Sequence, residues 1–182
     1  SVTVAILGQD VEDLDECGQG TVTRTWIATD CSGNTATCTQ VITVIDTTPP
    51  ALTCPVDLTL ECSDDRSLQN PVLFQWLDTV MATDECGGVI VENNYNVEAF
   101  DTSGCGETGM QVVTFTATDD CGNVSTCTAK VILIDTLPPM LSCPSDITIE
   151  CTDDRSTANS AIEAFLAGYT ASDACGGVTV VD

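Results

Sequence analysis

Cys54-Pro55-Val56-Asp57-Leu58-Thr59-Leu60-Glu61-Cys62 returns 89 residues later as Cys143-Pro144-Ser145-Asp146-Ile147-Thr148-Ile149-Glu150-Cys151. In both copies an apolar residue alternates with a polar one over the last turn of the motif. That is the period of a strand with one buried face. Working outward, the flanking stretches return at the same spacing. Ile45-Asp46-Thr47-Thr48-Pro49-Pro50 is answered by Ile134-Asp135-Thr136-Leu137-Pro138-Pro139, and Asp84-Glu85-Cys86-Gly87-Gly88 by Asp173-Ala174-Cys175-Gly176-Gly177. Upstream, Thr25-Trp26-Ile27-Ala28-Thr29-Asp30 matches Thr114-Phe115-Thr116-Ala117-Thr118-Asp119. A fixed period of this length means a tandem array. The chain divides into the C-terminal half of one repeat (1–46), a complete repeat (47–135) and the N-terminal half of the next (136–182).

Twelve cysteines in 182 residues, with no histidine and no C-x-x-C spacing, argue against zinc and for disulfides. Disulfides place the chain outside the reducing cytosol. The net charge is −24, with 28 acids set against Arg24, Arg66, Lys130 and Arg155. Phosphate backbones and anionic membrane surfaces repel such a chain, which excludes nucleic acid as a partner. No apolar run of about 18 residues is present, so membrane insertion is not expected. An export signal is expected outside the stretch shown, or already removed.

Within the repeat, residues 57–62, 88–95, 111–118 and 124–134 alternate or are β-branched and are bounded by Gly, Asp and Asn turns, which predicts short antiparallel strands. One segment differs: Leu73, Trp76, Leu77 and Val80 fall at helical spacing, repeated by Ile162, Phe165, Leu166 and Tyr169. Asn70 before Pro71 supplies an N-cap and a first helical residue. The fold class is therefore all-β, an immunoglobulin-like β-sandwich repeated in tandem with a short helix inserted in each repeat. Trp26 and Phe115, at matching strand positions, read as core.

The Asp-Thr-Thr-Pro-Pro linker, the Cys-Pro-x-Asp-Leu/Ile-Thr strand and the Ala-Thr-Asp-x-Cys-Gly-Asn turn followed by Thr-Cys resemble hyalin-repeat (HYR-like) modules. They resemble in particular the cysteine-rich form found in giant bacterial extracellular adhesins and surface proteins. The resemblance implies an immunoglobulin-like fold, a place outside the cell or on its surface, and a role in adhesion or fibre building. Implied partners are copies of the chain head to tail, or neighbouring repeats of one long chain, with covalently attached glycans.

An immunoglobulin-like topology also bears on the cysteines. Cys54 and Cys62 sit on one extended run, about 26 Å apart, and cannot bond to each other. Parallel pairing of the first strand with the last sets Cys54 beside Cys127. The loops at one end hold Cys86 and Cys121, and the opposite end holds Cys62 and Cys105. The expected bonds are therefore Cys54–Cys127, Cys62–Cys105 and Cys86–Cys121. Across a junction of half-repeats, the matching pairs are Cys143–Cys38, Cys151–Cys17 and Cys175–Cys31. The same topology gathers Asp46 with Asp84 and Asp119, and Asp135 with Asp173, while Asp30 repeats Asp119. Clustered carboxylates of this kind suit Ca2+, although aspartates also serve as turn and cap residues. Asp64-Asp65 and Asp153-Asp154 read as solvated loops with the neighbouring arginine as partner. Thr47, Thr79 and Thr136, each following an aspartate, are candidate O-glycosylation sites. Without histidine there is no Ser-His or Cys-His dyad, and the chain is not read as an enzyme. The competing reading is a carbohydrate-binding module of a secreted multidomain enzyme, which requires an exposed aromatic platform.

Overall fold

The computed structural model describes residues 1–102 and 104–180, with Cys105 described through its backbone alone. The chain opens with strands β1 (Thr3–Ile6), β2 (Val11–Leu14), β3 (Gly20–Thr29) and β4 (Thr35–Val44). It continues through β5 (Ala51–Thr53), β6 (Leu58–Glu61), helix α1 (Pro71–Leu77), β7 (Met81–Thr83) and β8 (Val89–Asn93). The two longest strands follow, β9 (Gly109–Asp119) and β10 (Val124–Ile134). Last come β11 (Met140–Ser142), α2 (Ser160–Leu166) and β12 (Thr170–Ser172). The architecture is all-β with two short helices. The period of the sequence is also a period of structure. Ala51 pairs with Thr83 in β5–β7, and Met140 pairs with Ser172 in β11–β12, the same register 89 residues on.

The complete repeat is built on a sheet of order β6-β10-β9-β8. β6 runs parallel to β10, with Leu58 opposite Val131 and Glu61 opposite Ile134. β5 and β7 form a separate two-stranded sheet. β9 shows why the sheet has an inside: Gln111, Val113, Phe115, Ala117 and Asp119 are buried and none of the residues between them is. β10 answers with Ala129, Val131 and Leu133.

Contacts gather the chain into two compact units, each drawn from two successive sequence repeats. The first holds Ser1–Val56, Gln75–Tyr95 and Val113–Ala129. Its core is Phe115, with Trp76 edge-on at 5.8 Å between ring centroids, an arrangement that adds to simple burial. The indole N–H of Trp76 donates to the Val56 carbonyl at 2.7 Å, so a large aromatic is buried without an orphaned donor. The turn between β9 and β10 needs Gly122, whose φ of +87° disfavours residues with a Cβ. Gly33 repeats it at +85° between β3 and β4.

The sheet of β1 to β4 in this unit contradicts one expectation. Trp26 is not core: every residue of β3 is only half-buried and every residue of β4 is exposed. Among the described residues no second layer covers that sheet, and Trp26 instead lies under the Arg24 guanidinium at 5.8 Å.

The second unit holds Asp57–Phe74, Asn96–Val112 and the residues from Lys130 onward. Leu60, Leu73, Val131 and Leu133 are among its buried apolar residues, with Cys62 and Cys175. Helix α1 begins as its sequence requires. The Asn70 carboxamide oxygen accepts from the Val72 amide at 2.9 Å, and Pro71 occupies the first helical position, where no N–H is needed. In α2 the Asn159 oxygen accepts from the Ala161 amide at 3.0 Å. The apolar residues there are not buried: Ile162 and Phe165 are half-buried, and Leu166 and Tyr169 are exposed.

Truncating Phe115, fully buried, to Ala leaves a cavity and is expected to lower stability by about 3–5 kcal/mol. Truncating Phe74, which is 60% exposed on α1, is expected to stay within about 0.5 kcal/mol. Denaturant unfolding of the non-reduced chain, with the two variants side by side, checks the assignment of the core.

Candidate functional site

Asp46 ends the first half-repeat and is only 8% exposed. Its Oδ1 accepts from the Thr48 amide at 2.9 Å, a local turn that fixes the linker before Pro49-Pro50. Its Oδ2 is buried and has no hydrogen-bond partner. Asp84, after β7, uses Oδ1 to accept from the Cys86 amide at 2.8 Å. Ligand atoms of Asp46, Asp84 and Cys86 lie within 4.8 Å of one another. Asp46 beside the Cys86 thiol, followed by partial burial and then Asp84, Glu85 and Asp119, pushes that thiol above its ordinary pKa. The group is therefore a neutral thiol and not a thiolate at neutral pH.

The donor set fits a hard divalent cation in part. Calcium takes six to eight oxygens, carboxylates and carbonyls among them. Asp46 and Asp84 supply two carboxylates, and the orphaned Oδ2 of Asp46 is the atom a cation satisfies. The thiol of Cys86 is no calcium ligand.

Asp119 and Asp30 do other work. The Asp119 carboxylate accepts from the Asn123 amide at 2.8 Å and from the Asn123 side chain at 3.0 Å, and that side chain also donates to the Asp46 carbonyl at 3.4 Å. Asp30 closes the equivalent turn on Ser32 and Asn34. These are turn-forming aspartates, with Asn123 clipping the hairpin to the linker. Partial burial works against the charge on Asp119, but hydrogen bonds from Asn123, Cys121 and Gly122 outweigh it and hold the carboxyl below its ordinary range. The Asn34 side chain and the backbone amides of this turn do the same for Asp30.

In the second unit, Asp135 lies with Cys62 and Cys175, and its Oδ1 accepts from the Leu137 amide at 3.2 Å. Asp173 is held back on the Cys175 amide. Arg66 bonds Glu107 at 3.2 Å, where sequence reasoning set it against its neighbours Asp64 and Asp65. Those two cap local turns instead. Of the candidate glycosylation residues, Thr47 is exposed. The Thr79 hydroxyl donates to the Trp76 carbonyl at 2.6 Å, and that of Thr136 to the Glu61 carboxylate.

The cysteines are arranged as follows. Cys54 is joined to Cys127, with Cα atoms 5.9 Å apart. Cys62 is joined to Cys175, at 5.6 Å, instead of the expected Cys105. Cys17 is joined to Cys121, at 5.4 Å, instead of Cys121 to Cys86. All three separations suit a bridge. The physical reason is local. Cys62 follows β6, its amide bonded to the Ile134 carbonyl, which sets it where the chain enters the next repeat. Cys121 rides on the turn that Asn123 clips to Asp46. The side chain of Cys105 lies outside the described residues. Cys31, Cys38, Cys86, Cys143 and Cys151 are exposed free thiols, so the structure does not contain Cys151–Cys17, Cys175–Cys31 or Cys143–Cys38. Partners in neighbouring repeats were missed because a repeat with six cysteines invites pairing within itself.

No protein-family model matches the chain. Among curated proteins it is 34% identical over 173 residues to hyalin of Lytechinus variegatus, covering 93% of this chain and 31% of that protein. It is 38% identical over 139 residues to hyalin of Strongylocentrotus purpuratus, covering 73% of this chain and 11% of that protein. The chain thus spans less than a third of the relatives it matches, and the likeness points to a hyalin-repeat family. Solved structures similar to it include the protocadherin gammaB7 EC3-6 cis-dimer, at 18% identity and a TM-score of 0.37, over 77% of this chain and 42% of that one. Another is PcdhgB3 EC1-4, at 15% identity and a TM-score of 0.33, over 80% and 44%. Among the described residues no helix is long and apolar enough to cross a membrane.

Asp30, Asp65, Asp119 and Asp154 are all held below the ordinary carboxylate range by hydrogen bonds. Each stabilises the folded state above its unfolded pKa, and that contribution disappears as pH falls through the folded value. Thermal melts are expected to be flat from neutral pH down to about pH 4 and to fall steeply below it. Asn123→Ala, which removes the side-chain donor to Asp119 and keeps the backbone one, is expected to lower the neutral-pH midpoint and flatten the acid slope.

Proposed function

We propose that the chain is a stretch of an extracellular structural and adhesive repeat protein, whose repeats join end to end into a disulfide-stapled fibre or stalk on a bacterial surface. The likeness to hyalin and the disulfides support the extracellular adhesive role. The bacterial setting rests on the cysteine-rich form of the module alone.

One observation carries the end-to-end reading. In the complete repeat, β6 pairs in parallel with β10. The equivalent of β10 is β4, an exposed strand with no parallel partner among the described residues, and the equivalent of β6 is Ile147–Glu150, which forms no strand. Transferring the β6–β10 register sets Ile147 opposite Ile42 and Ile149 opposite Val44. Ile42 and Val44 are exposed, so each half offers what the other lacks, and an open apolar strand edge is costly to leave uncovered. A contact of this kind between copies is heterologous and does not close, which makes a linear assembly. The oxidised chain is expected to grow beyond 19.0 kDa with concentration in light scattering, and Ile42→Asp to hold it at the monomer mass. A wild-type chain that stays monomeric at every concentration overturns the reading.

The orphaned Oδ2 of Asp46 favours a second element, a calcium ion held by Asp46 and Asp84 that stiffens the linker. Calcium is expected to raise the melting temperature of the wild type and to leave Asp46→Asn unmoved. An equal response of the two overturns it. Glycans at Thr47, Thr79 and Thr136 belong to the same extracellular reading, with Thr47 the most open of the three; intact mass of native material detects them.

A further inference from the structure

We infer that Cys86 is a covalent docking site for a cysteine of another repeat of this type, the one at the Cys62 position of the repeat before it. Successive repeats are thereby clamped by two disulfides at every joint. The inference rests on the tandem-repeat reading above, and three observations carry it.

The first is the register of the two unexpected bonds. Cys62 of the complete repeat is joined to Cys175, the next repeat's equivalent of Cys86. Cys17, one residue out of the repeat register from Cys105 but its counterpart in the preceding repeat, is joined to Cys121. Each bond therefore runs from one repeat to the following one. Together they define a rule: the Cys62 position bonds the next Cys86 position, and the Cys105 position bonds the next Cys121 position.

The second is that the surroundings of Cys86 repeat those of a cysteine already bonded this way. Cys175 lies against Asp135 and Cys62 and is 3% exposed. Cys86 lies against Asp46, the equivalent of Asp135, and against Asp84, but it is exposed. A cavity of about 350 Å³ lined by Thr48, Pro49, Ala51, Thr83, Asp84 and Cys86 adjoins its thiol. The difference between the two places is the arriving cysteine.

The third is closure. The rule, with the Cys54–Cys127 bond inside each repeat, assigns all twelve cysteines. When two copies complete a repeat between them, Cys151 of one is the arriving partner of Cys86 in the other, and Cys143 meets Cys38. Cys105, assigned by repeat position alone, meets Cys31. No thiol is left over.

Bond formation is an exchange. Two thiols give up two protons and two electrons to a small-molecule disulfide, one S–S bond forms and one breaks, and the small molecule leaves as two thiols.

The test has two arms. The oxidised chain is denatured without reductant and alkylated, with Cys62→Ser beside it. The expected result is no label on Cys175 in the wild type and full label on it in the variant, with the labelling of Cys105 the same in both. Label appearing instead on Cys105 only in the variant means a Cys62–Cys105 bond and overturns the rule. This arm reads bonds within one chain, so it stands whether or not the copies assemble. In the second arm the chain is concentrated with oxidised glutathione and mapped by mass spectrometry, and a Cys86–Cys151 peptide is expected. A ladder that collapses to 19.0 kDa on reduction identifies the partner as another copy. The same peptide type in a single large native chain, without a ladder, identifies it as the adjoining repeat. Cys86 bonded to Cys121, or still alkylatable after oxidation, overturns the proposal.

Discussion

The parallel pairing of β6 with β10 is the constraint on which the repeat depends. A parallel pair cannot be closed by a hairpin and needs a long connection. Here the connection is α1, β7, β8 and β9, everything that makes the repeat a sandwich instead of a ribbon. Its offset is the separation of 73 residues between Leu58 and Val131, and the same separation recurs in the Cys54–Cys127 bond. A one-residue slip of β6 would turn Leu60 outward, and with 4% aromatic residues the core has little else to bury. The bond from Cys127 on β10 to Cys54, just before β6, ties the two segments at this same offset and also constrains the unfolded chain.

Much of this is legible in the sequence because its signals are local or periodic. The 89-residue return of the Cys-Pro strand predicts the matched registers of β5–β7 and β11–β12. The Asn70-Pro71 pair marks the start of α1, and the alternation in 111–118 marks the buried face of β9. What is not legible depends on where separate loops meet. The pairing of Cys62 with Cys175 needs the position of Cys62 at the exit of one repeat and of Cys175 at the entry of the next. Spacing alone does not supply either. Asp119 shows a related limit. Its acidity reads as a metal ligand in the sequence, while the structure uses both its oxygens on Asn123. The same Asp-x-x-Gly-Asn pattern at Asp30 shows that this is the turn's own chemistry. Trp26 fails for a third reason, since whether an apolar strand face is core depends on a layer the first half-repeat does not itself contain.

The charge of −24 also acquires a structural meaning. With four cations in the chain, most carboxylates cannot be balanced by ion pairs. Arg24–Asp10 and Arg66–Glu107 are two such ion pairs. The remaining aspartates at turns are stabilised by backbone amides, which hold a carboxylate charged without a counter-ion. This solution works at the surface and fails for Asp46, which is buried with one oxygen unpartnered.

Burial of Asp46 and exposure of Cys86 are then two sides of one arrangement. A buried carboxylate oxygen without a partner is costly unless the surroundings supply a cation or a donor. An adjacent thiol kept neutral by that carboxylate adds no further negative charge to the site. Once such a thiol is bonded to another cysteine it can no longer ionise, and the carboxylate loses a neighbour that would repel it at high pH. The equivalent site in the second unit has this form: Asp135 stands beside a completed disulfide and its Oδ1 accepts from the Leu137 amide. Covalent joining of repeats and tolerance of an aspartate at the linker are therefore compatible demands on the same few residues, which is how a strongly acidic chain can place acids at every joint.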